Sequence, residues 1–283
     1  MFSGAYTALI TPLCPDGEID YPGVARLIAW HESEGMDGVV IAGTNGEGPS
    51  LSAVEKRDLT RFAVEHAGKL KIVFGAGTCS LPEAIWLCNQ AEKSGAVAAL
   101  VLPPFYFAAT EAGIEEWFTK LVENVKISVI LYNFPKSTKV SLSPDLVGRL
   151  LQLERVIGIK DSSGDPETLT AYLAKATPIS KSVFVGDERL LLSCLSRGGA
   201  GTISGLANSF PRLVARQVAE RTETLQALID EAVENVKCHP QPAIHKAILD
   251  HKGLPGGQVR PPLVPVTEEQ KSSAINFVKR FGF

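Results

Sequence analysis

Lys160 stands in the run Val156-Ile157-Gly158-Ile159-Lys160-Asp161, an amine in an otherwise apolar, strand-like stretch. Alternation along a strand puts Val156, Gly158 and Lys160 on one side and Ile157, Ile159 and Asp161 on the other. With Lys160 turned inward, Gly158 clears space below its stem for a small carbonyl compound. A lysine side chain in water is neutral in only about 1 in 2,500 molecules at pH 7, and a nucleophilic amine has to be neutral. Apolar walls penalise the charged form, so a lysine enclosed in this way is a Schiff-base candidate. The other reading is a lysine that reaches solvent at the strand end or pairs with Asp161. Tyr132, in Ile130-Leu131-Tyr132-Asn133-Phe134-Pro135, closes the preceding strand-like run. Neighbouring strands lie about 4.8 Å apart, so its phenol can reach the amine or its adduct. Forming and dehydrating a carbinolamine needs a group that gives and takes protons in turn, as a phenol can. A core tyrosine bonded to a backbone carbonyl is the alternative.

Two loops add to this pair. Gly43-Thr44-Asn45-Gly46-Glu47-Gly48-Pro49-Ser50 offers backbone N–H groups, with the Thr44 and Asn45 side chains, as a pocket for a carboxylate, or else is simply a tight turn. Pro103-Pro104-Phe105-Tyr106-Phe107 is an aromatic, proline-stiffened loop that reads as part of a site, as a lid or as a subunit contact.

These groups must be positioned by the elements around them. Eight short apolar runs recur, at 7–11, 38–43, 71–77, 98–104, 128–135, 156–161, 182–187 and 201–205, with amphipathic stretches between them. Seven lack strict alternation, as parallel strands covered on both faces do. Helices are expected over 21–34, over 52–67 with the capping-box pair Ser52 and Glu55, and over 80–94 with Pro82 near the start and Gly95 past the end. Eight βα units define an α/β fold, a (β/α)₈ TIM barrel, whose site lies at the C-terminal ends of the strands. A doubly wound sheet is the alternative, but the first turn, Pro12 to Gly17, offers no phosphate cradle. The barrel is expected over 1–205. Segments 210–237, 241–253 and 267–281 read as helical, so 206–283 is expected to be an all-α appendage packed on the barrel, with no flexible linker.

The 283 residues carry 28 Lys and Arg against 31 Asp and Glu, a net charge of −3, with no basic cluster, so nucleic acid is not an expected partner. The five cysteines form no C-x-x-C pair, which leaves zinc-ribbon and disulfide frameworks without support. No apolar span of about 18 residues appears. The chain is expected to be cytoplasmic, with no membrane partner.

In order, Gly43-Thr44-Asn45-Gly46-Glu47, Pro104-Phe105-Tyr106, Tyr132-Asn133-Phe134-Pro135, Gly158 to Gly164 and Gly253 to Leu263 resemble the dihydrodipicolinate synthase / N-acetylneuraminate lyase family. The likeness covers essentially the whole chain. It implies a class I lyase that holds pyruvate on a lysine and adds it to, or releases it from, an aldehyde, with neither metal nor cofactor, in a homotetramer built as a dimer of dimers. By matching positions, Lys160 resembles the Schiff-base lysine and Tyr132 the proton donor and acceptor. Thr44 resembles the hydroxyl of a proton relay, and Tyr106 the second tyrosine, which enters a neighbouring subunit's site. Thr44, Asn45, Gly186 and Ile203 match positions that bind or line the pyruvate pocket. Two departures stand out. The arginine that grips aspartate semialdehyde in dihydrodipicolinate synthases is Ser137 here, and Lys136 does not restore its fork. The lysine-feedback site is poorly kept around Pro49, Ala53 and Lys56. An aldolase for a 2-keto-3-deoxy sugar acid or a 4-hydroxy-2-oxoglutarate-type acid is therefore expected, ahead of 4-hydroxy-tetrahydrodipicolinate (dihydrodipicolinate) synthase. The rivals are a metal-dependent barrel enzyme, for which the five histidines form no H-x-H pair, and a non-catalytic 2-oxo-acid sensor.

Overall fold

A computed structural model describes residues 2–280. All eight apolar runs are strands: β1 (Gly4–Ala8), β2 (Gly38–Ile41), β3 (Lys71–Ala76), β4 (Ala98–Val101), β5 (Ser128–Asn133), β6 (Val156–Asp161), β7 (Ser182–Val185) and β8 (Gly201–Ser204). They pair in parallel in chain order, and β8 returns to β1 to close the barrel. Helices α1 (Tyr21–Ser33), α2 (Ala53–Glu65), α3 (Leu81–Ser94), α4 (Glu111–Glu123), α5 (Pro135–Thr138), α6 (Pro144–Leu150), α7 (Pro166–Ala176) and α8 (Leu191–Ser196) lie between the strands. After β8 come α9 (Pro211–Glu220), α10 (Glu223–Val236), α11 (Ala243–His251) and α12 (Glu268–Arg280). The chain is thus a (β/α)₈ barrel with an all-α C-terminal region.

The helix ends follow local chemistry. Ser52 and Glu55 complete the reciprocal capping box of α2, Ser80 caps α3, and Gly95 closes α3 in the left-handed conformation. Three expectations shift. β1 begins at Gly4 rather than Thr7, because Gly4 and Ala5, weak strand formers, are recruited by β8 across the closure. The helix expected over 210–237 is two, since Arg221 is left-handed (φ 55°) and Thr222 caps a new start through the Leu225 N–H. The expected helix over 267–281 runs to Arg280, and Phe281 lies outside the described residues.

Alternation sorts the side chains into two layers. Val39, Ile41, Phe74, Val101, Leu131, Ile159 and Val185 pack outward against the helices. Tyr6, Val40, Val73, Leu100, Ile130, Tyr132, Phe184 and Ile203 fill the barrel. Phe2 stacks on Tyr6 (centroids 5.0 Å), and both meet Phe184 edge-on at 5.8 Å, which plugs the interior. Ile157 belongs to this inner set, contrary to simple alternation. The β5–β6 register shifts between Val129↔Val156 and Ile130↔Gly158, so an extra residue turns Ile157 inward, while Val156, expected on the side of Lys160, packs outward.

Two fully buried histidines set an acid limit on this fold. His31 Nδ1 pairs with the Leu27 carbonyl (2.8 Å) and His245 Nδ1 with Ser209 Oγ (2.7 Å). Burial lowers His31 to about 4 and His245 to about 3. In the unfolded chain both take up protons near pH 6.5, so below that pH the unfolded state binds more protons and stability falls as pH falls. The expected loss between pH 8 and pH 5 is about 4 kcal/mol for the pair. Urea titrations at the two pH values measure it, and equal midpoints would contradict it.

Candidate active site

The C-terminal ends of β5 and β6 bring the two candidate catalytic side chains together. Tyr132 and Lys160 are direct partners across the ladder, and Lys160 Nζ lies 4.4 Å from the centroid of the Tyr132 ring. Both are buried, at 4% and 5% exposure. Phe134 stacks on Tyr132 (5.7 Å, 10° between planes) and holds the phenol in place.

Lys160 does not pair with Asp161. The Asp161 carboxylate faces the other side of the strand, where it accepts Asn133 Nδ2–H (2.8 Å), the Ser163 N–H (3.1 Å) and Ser163 Oγ–H (2.7 Å). Asn133 Oδ1 in turn accepts the Leu142 N–H at 3.1 Å. Tyr132 and Lys160 are each therefore followed by a polar residue that faces outward and ties down the loop after its strand. Burial raises the Asp161 carboxyl above its ordinary value, although the bonds from Ser163 and Asn133 oppose this.

Gly158 has a different task from the one expected. A Cβ there would sit 2.2 Å from the Ser182 carbonyl, so the glycine admits close approach of β7 and does not make room for substrate. The residue that clears the lysine is Gly186, just past β7, where a Cβ would lie 2.8 Å from Lys160 Cε and 2.0 Å from Ser162 Oγ. Gly186→Ala is expected to tilt the Lys160 stem and cut kcat/KM about a hundredfold, in line with the cost of roughly 1 Å of misplacement. A steady-state assay beside a thermal melt separates this from plain destabilisation.

Thr44 and Asn45 also line the cavity at the strand ends, whose volume is about 560 Å³. Their loop is built by long-range bonds. Thr11 Oγ–H donates to the Gly46 carbonyl (2.7 Å). Glu47, left-handed at φ 55° and buried, pairs with Lys246 Nζ of α11 (2.5 Å) and accepts the Arg260 N–H (2.8 Å). The Arg260 guanidinium donates to the carbonyls of Gly17 (2.7 and 2.9 Å) and Ser50 (2.9 Å) and to Glu55 (2.5 Å). The C-terminal region thus braces the loop that carries Thr44 and Asn45.

The remaining expected residues are placed differently. Gly186 lines the cavity, whereas Ile203 is fully buried in the inner layer with Tyr132 and is not on the cavity wall. Tyr106 is 80% exposed, packs edge-on against Phe107 (5.3 Å) and does not reach the cavity of its own chain. A further wall, absent from the expectation, comes from the turn after β7 and the end of α10, with Asp187, Arg189, Lys237, His239 and Gln241. The polar run Lys237-Cys238-His239-Pro240-Gln241 was its one trace in the sequence. Among the described residues no three His, Cys, Asp or Glu side chains form a metal-holding group, and no helix is long and apolar enough to cross a membrane.

A closed parallel barrel with an enclosed lysine and a facing tyrosine at its strand ends defines a barrel lyase of the Schiff-base class, acting on small molecules. The chain matches the model of the dihydrodipicolinate synthetase family over residues 1–280 and belongs to that family of lyases. It is 34% identical to a 4-hydroxy-tetrahydrodipicolinate synthase of Azoarcus sp. (strain BH72), over 100% of this chain and 99% of that protein. Among solved structures, it resembles a dihydrodipicolinate synthase from Acinetobacter baumannii complexed with pyruvate (TM-score 0.94, 30% identity, covering 100% and 99% of the two chains). YagE, a prophage protein of the same family from E. coli K12, also in complex with pyruvate, is similarly close (TM-score 0.94, 27% identity, covering 100% and 99%).

Proposed function

We propose that this enzyme binds pyruvate on Lys160 as a Schiff base and makes or breaks a carbon–carbon bond to an aldehyde. The observation that carries the reading is the Lys160 amine enclosed over Tyr132 at the cavity floor. The amine adds to the 2-oxo carbon, water leaves, and the resulting iminium serves as an electron sink for the carbon–carbon step. Tyr132 passes protons to and from the adduct. Thr44, Asn45 and the N–H groups of their loop hold the carboxylate, and Gly186 leaves the lysine stem its path. Ile203 supports the pocket from the layer behind.

For the aldehyde, the relatives named 4-hydroxy-tetrahydrodipicolinate synthase support aspartate semialdehyde, ahead of the longer 2-oxo acids expected from the sequence. Ser137 favours the second reading, a lyase for 2-keto-3-deoxy or 4-hydroxy-2-oxo acids, because it puts no guanidinium fork on the wall. The exposed Tyr106 fits a homotetramer in which a second copy receives that side chain to complete the Tyr132–Thr44–Tyr106 relay. Five free cysteines fit a cytoplasmic setting. Borohydride added with saturating pyruvate is expected to leave a pyruvate-derived mass on the peptide that contains Lys160, and an unmodified Lys160 rejects the reading. Condensation with aspartate semialdehyde, beside a panel of 2-oxo-3-deoxy acids, decides between the two partners.

A further inference from the structure

The cavity holds a second lysine for which the Schiff-base chemistry has no use. Lys237, the C-cap of α10, donates to Glu188 Oε2 at 2.7 Å and reaches the Gly186 carbonyl at 3.5 Å. Glu188 is fully buried, and its Oε1 accepts Ser204 Oγ–H (2.7 Å) and the Leu206 N–H (3.0 Å). Gln226 of α10 donates to the Glu188 backbone carbonyl (3.0 Å), so helix and turn are tied twice. Among the described residues Lys237 Nζ has two protein acceptors for its three hydrogens, which leaves one for a ligand. The Lys237 side chain retains 21% exposure and lines the cavity. Burial alone would pull its proton affinity down, but Glu188 and Asp187 more than offset this, so the ammonium stays charged.

The other cations of the cavity are less suited to reading a substrate. Arg189 commits its guanidinium to Asp187 (2.9 and 2.6 Å). Lys136 sits exposed on the short α5, and its ammonium has no hydrogen-bond or ion-pair partner among the described residues. Lys237 is oriented in advance, and it flanks Gly186 together with Lys160, whose Cε lies 2.8 Å from the position a Gly186 Cβ would take. Both lysines therefore meet the cavity at the same stretch of wall, around Gly186.

We propose that Lys237 is a specificity-determining residue that recognises a carboxylate on the part of the substrate projecting away from Lys160. The proposal rests on the Schiff-base reading and selects, within it, substrates that carry a distal negative charge. It also accounts for a wall without an arginine at Ser137, since the cation arrives from the C-terminal region instead.

The test compares 2-oxoglutarate with 2-oxopentanoate, two five-carbon 2-oxo acids that differ by a distal carboxylate against a methyl, each titrated and trapped on Lys160 with borohydride. The native enzyme is expected to bind 2-oxoglutarate about tenfold to a hundredfold more tightly, the range for a hydrogen bond to a charged group. In Lys237→Met that ratio should fall to about one, and Lys237→Arg should recover part of it. Because Lys237→Met strands the Glu188 carboxylate, Lys237→Met combined with Glu188→Gln repeats the test in a neutral background. Equal binding by the native enzyme, a preference that survives in both methionine variants, or a collapse in Lys136→Met instead overturns the proposal while leaving the Schiff base intact. Absence of any trapped adduct with pyruvate removes the Schiff-base reading and this proposal with it.

Discussion

Lys160→Ala is expected to lower pyruvate-dependent turnover by about a hundred-thousandfold, the order of loss seen when a covalent nucleophile is removed from an otherwise intact site. The geometry leaves no substitute. Among the residues on the cavity wall the other amines are Lys237, engaged by Glu188, and Lys136, at the exposed rim. Lys160→Arg is the sharper variant. It keeps a long cationic side chain in the barrel, but the guanidinium stays protonated and cannot add to a carbonyl carbon. Both variants should melt within a few degrees of the native protein, since Lys160 makes no ion pair among the described residues. Turnover above a hundredth of the native value in either variant would show that another group carries the chemistry. Stopped assays with a pyruvate-coupled readout span the required range.

The largest effect on stability is expected at the Glu47–Lys246 pair. Both side chains are essentially out of water, at 0% and 2% exposure, and the contact is 2.5 Å. Lys246→Met leaves the Glu47 carboxylate buried with the Arg260 N–H as its remaining partner among the described residues, a situation that costs about 3–5 kcal/mol. For a chain of this size that corresponds to a fall of roughly 10 °C in Tm. Glu47→Gln in the same chain should restore part of the loss, because an amide still accepts from Arg260 and no charge is left stranded. A double-mutant cycle by thermal melting reads the coupling directly. Additive single effects would mean the pair is not a unit. Since Glu47 shapes the loop that bears Thr44 and Asn45, Lys246→Met should also raise the KM for pyruvate. That effect reaches the site from a residue 199 positions away in the chain.

What the sequence disclosed follows the range of the interactions involved. Lys160 and Tyr132 were legible because an amine and a phenol each end an apolar run, and barrel topology sets consecutive runs side by side. The inward turn of Ile157 was not, because the register shift that causes it belongs to the pairing of two strands. Gly158 was expected to clear the lysine and Gly186 only to line the pocket, but which of them clears the lysine depends on whether β7 or the lysine stem lies over the missing Cβ. Glu188 and Lys237 drew no expectation, because they lie 49 positions apart in the chain with no motif to join them. Only the packing of α10 over the turn after β7 makes them a buried pair. Arg260 looked like one residue of a family motif, and its purpose appears once its guanidinium spans the Gly17 and Ser50 carbonyls.

The bond from Lys246 to Glu47 also carries a timing. A ribosome adds about 5–20 residues each second, so the 199 residues between the two take roughly 10–40 s to make. Throughout that interval the Glu47 carboxylate has to remain hydrated, and the loop that bears Thr44 and Asn45 lacks the partner that fixes its finished shape. Arg260 emerges later still, and β1 likewise waits for β8 before the barrel can close. The loop that bears Thr44 and Asn45 therefore gains its brace only when the C-terminal region has been made, and a chain that stops before Lys246 carries Lys160 and Tyr132 without that brace.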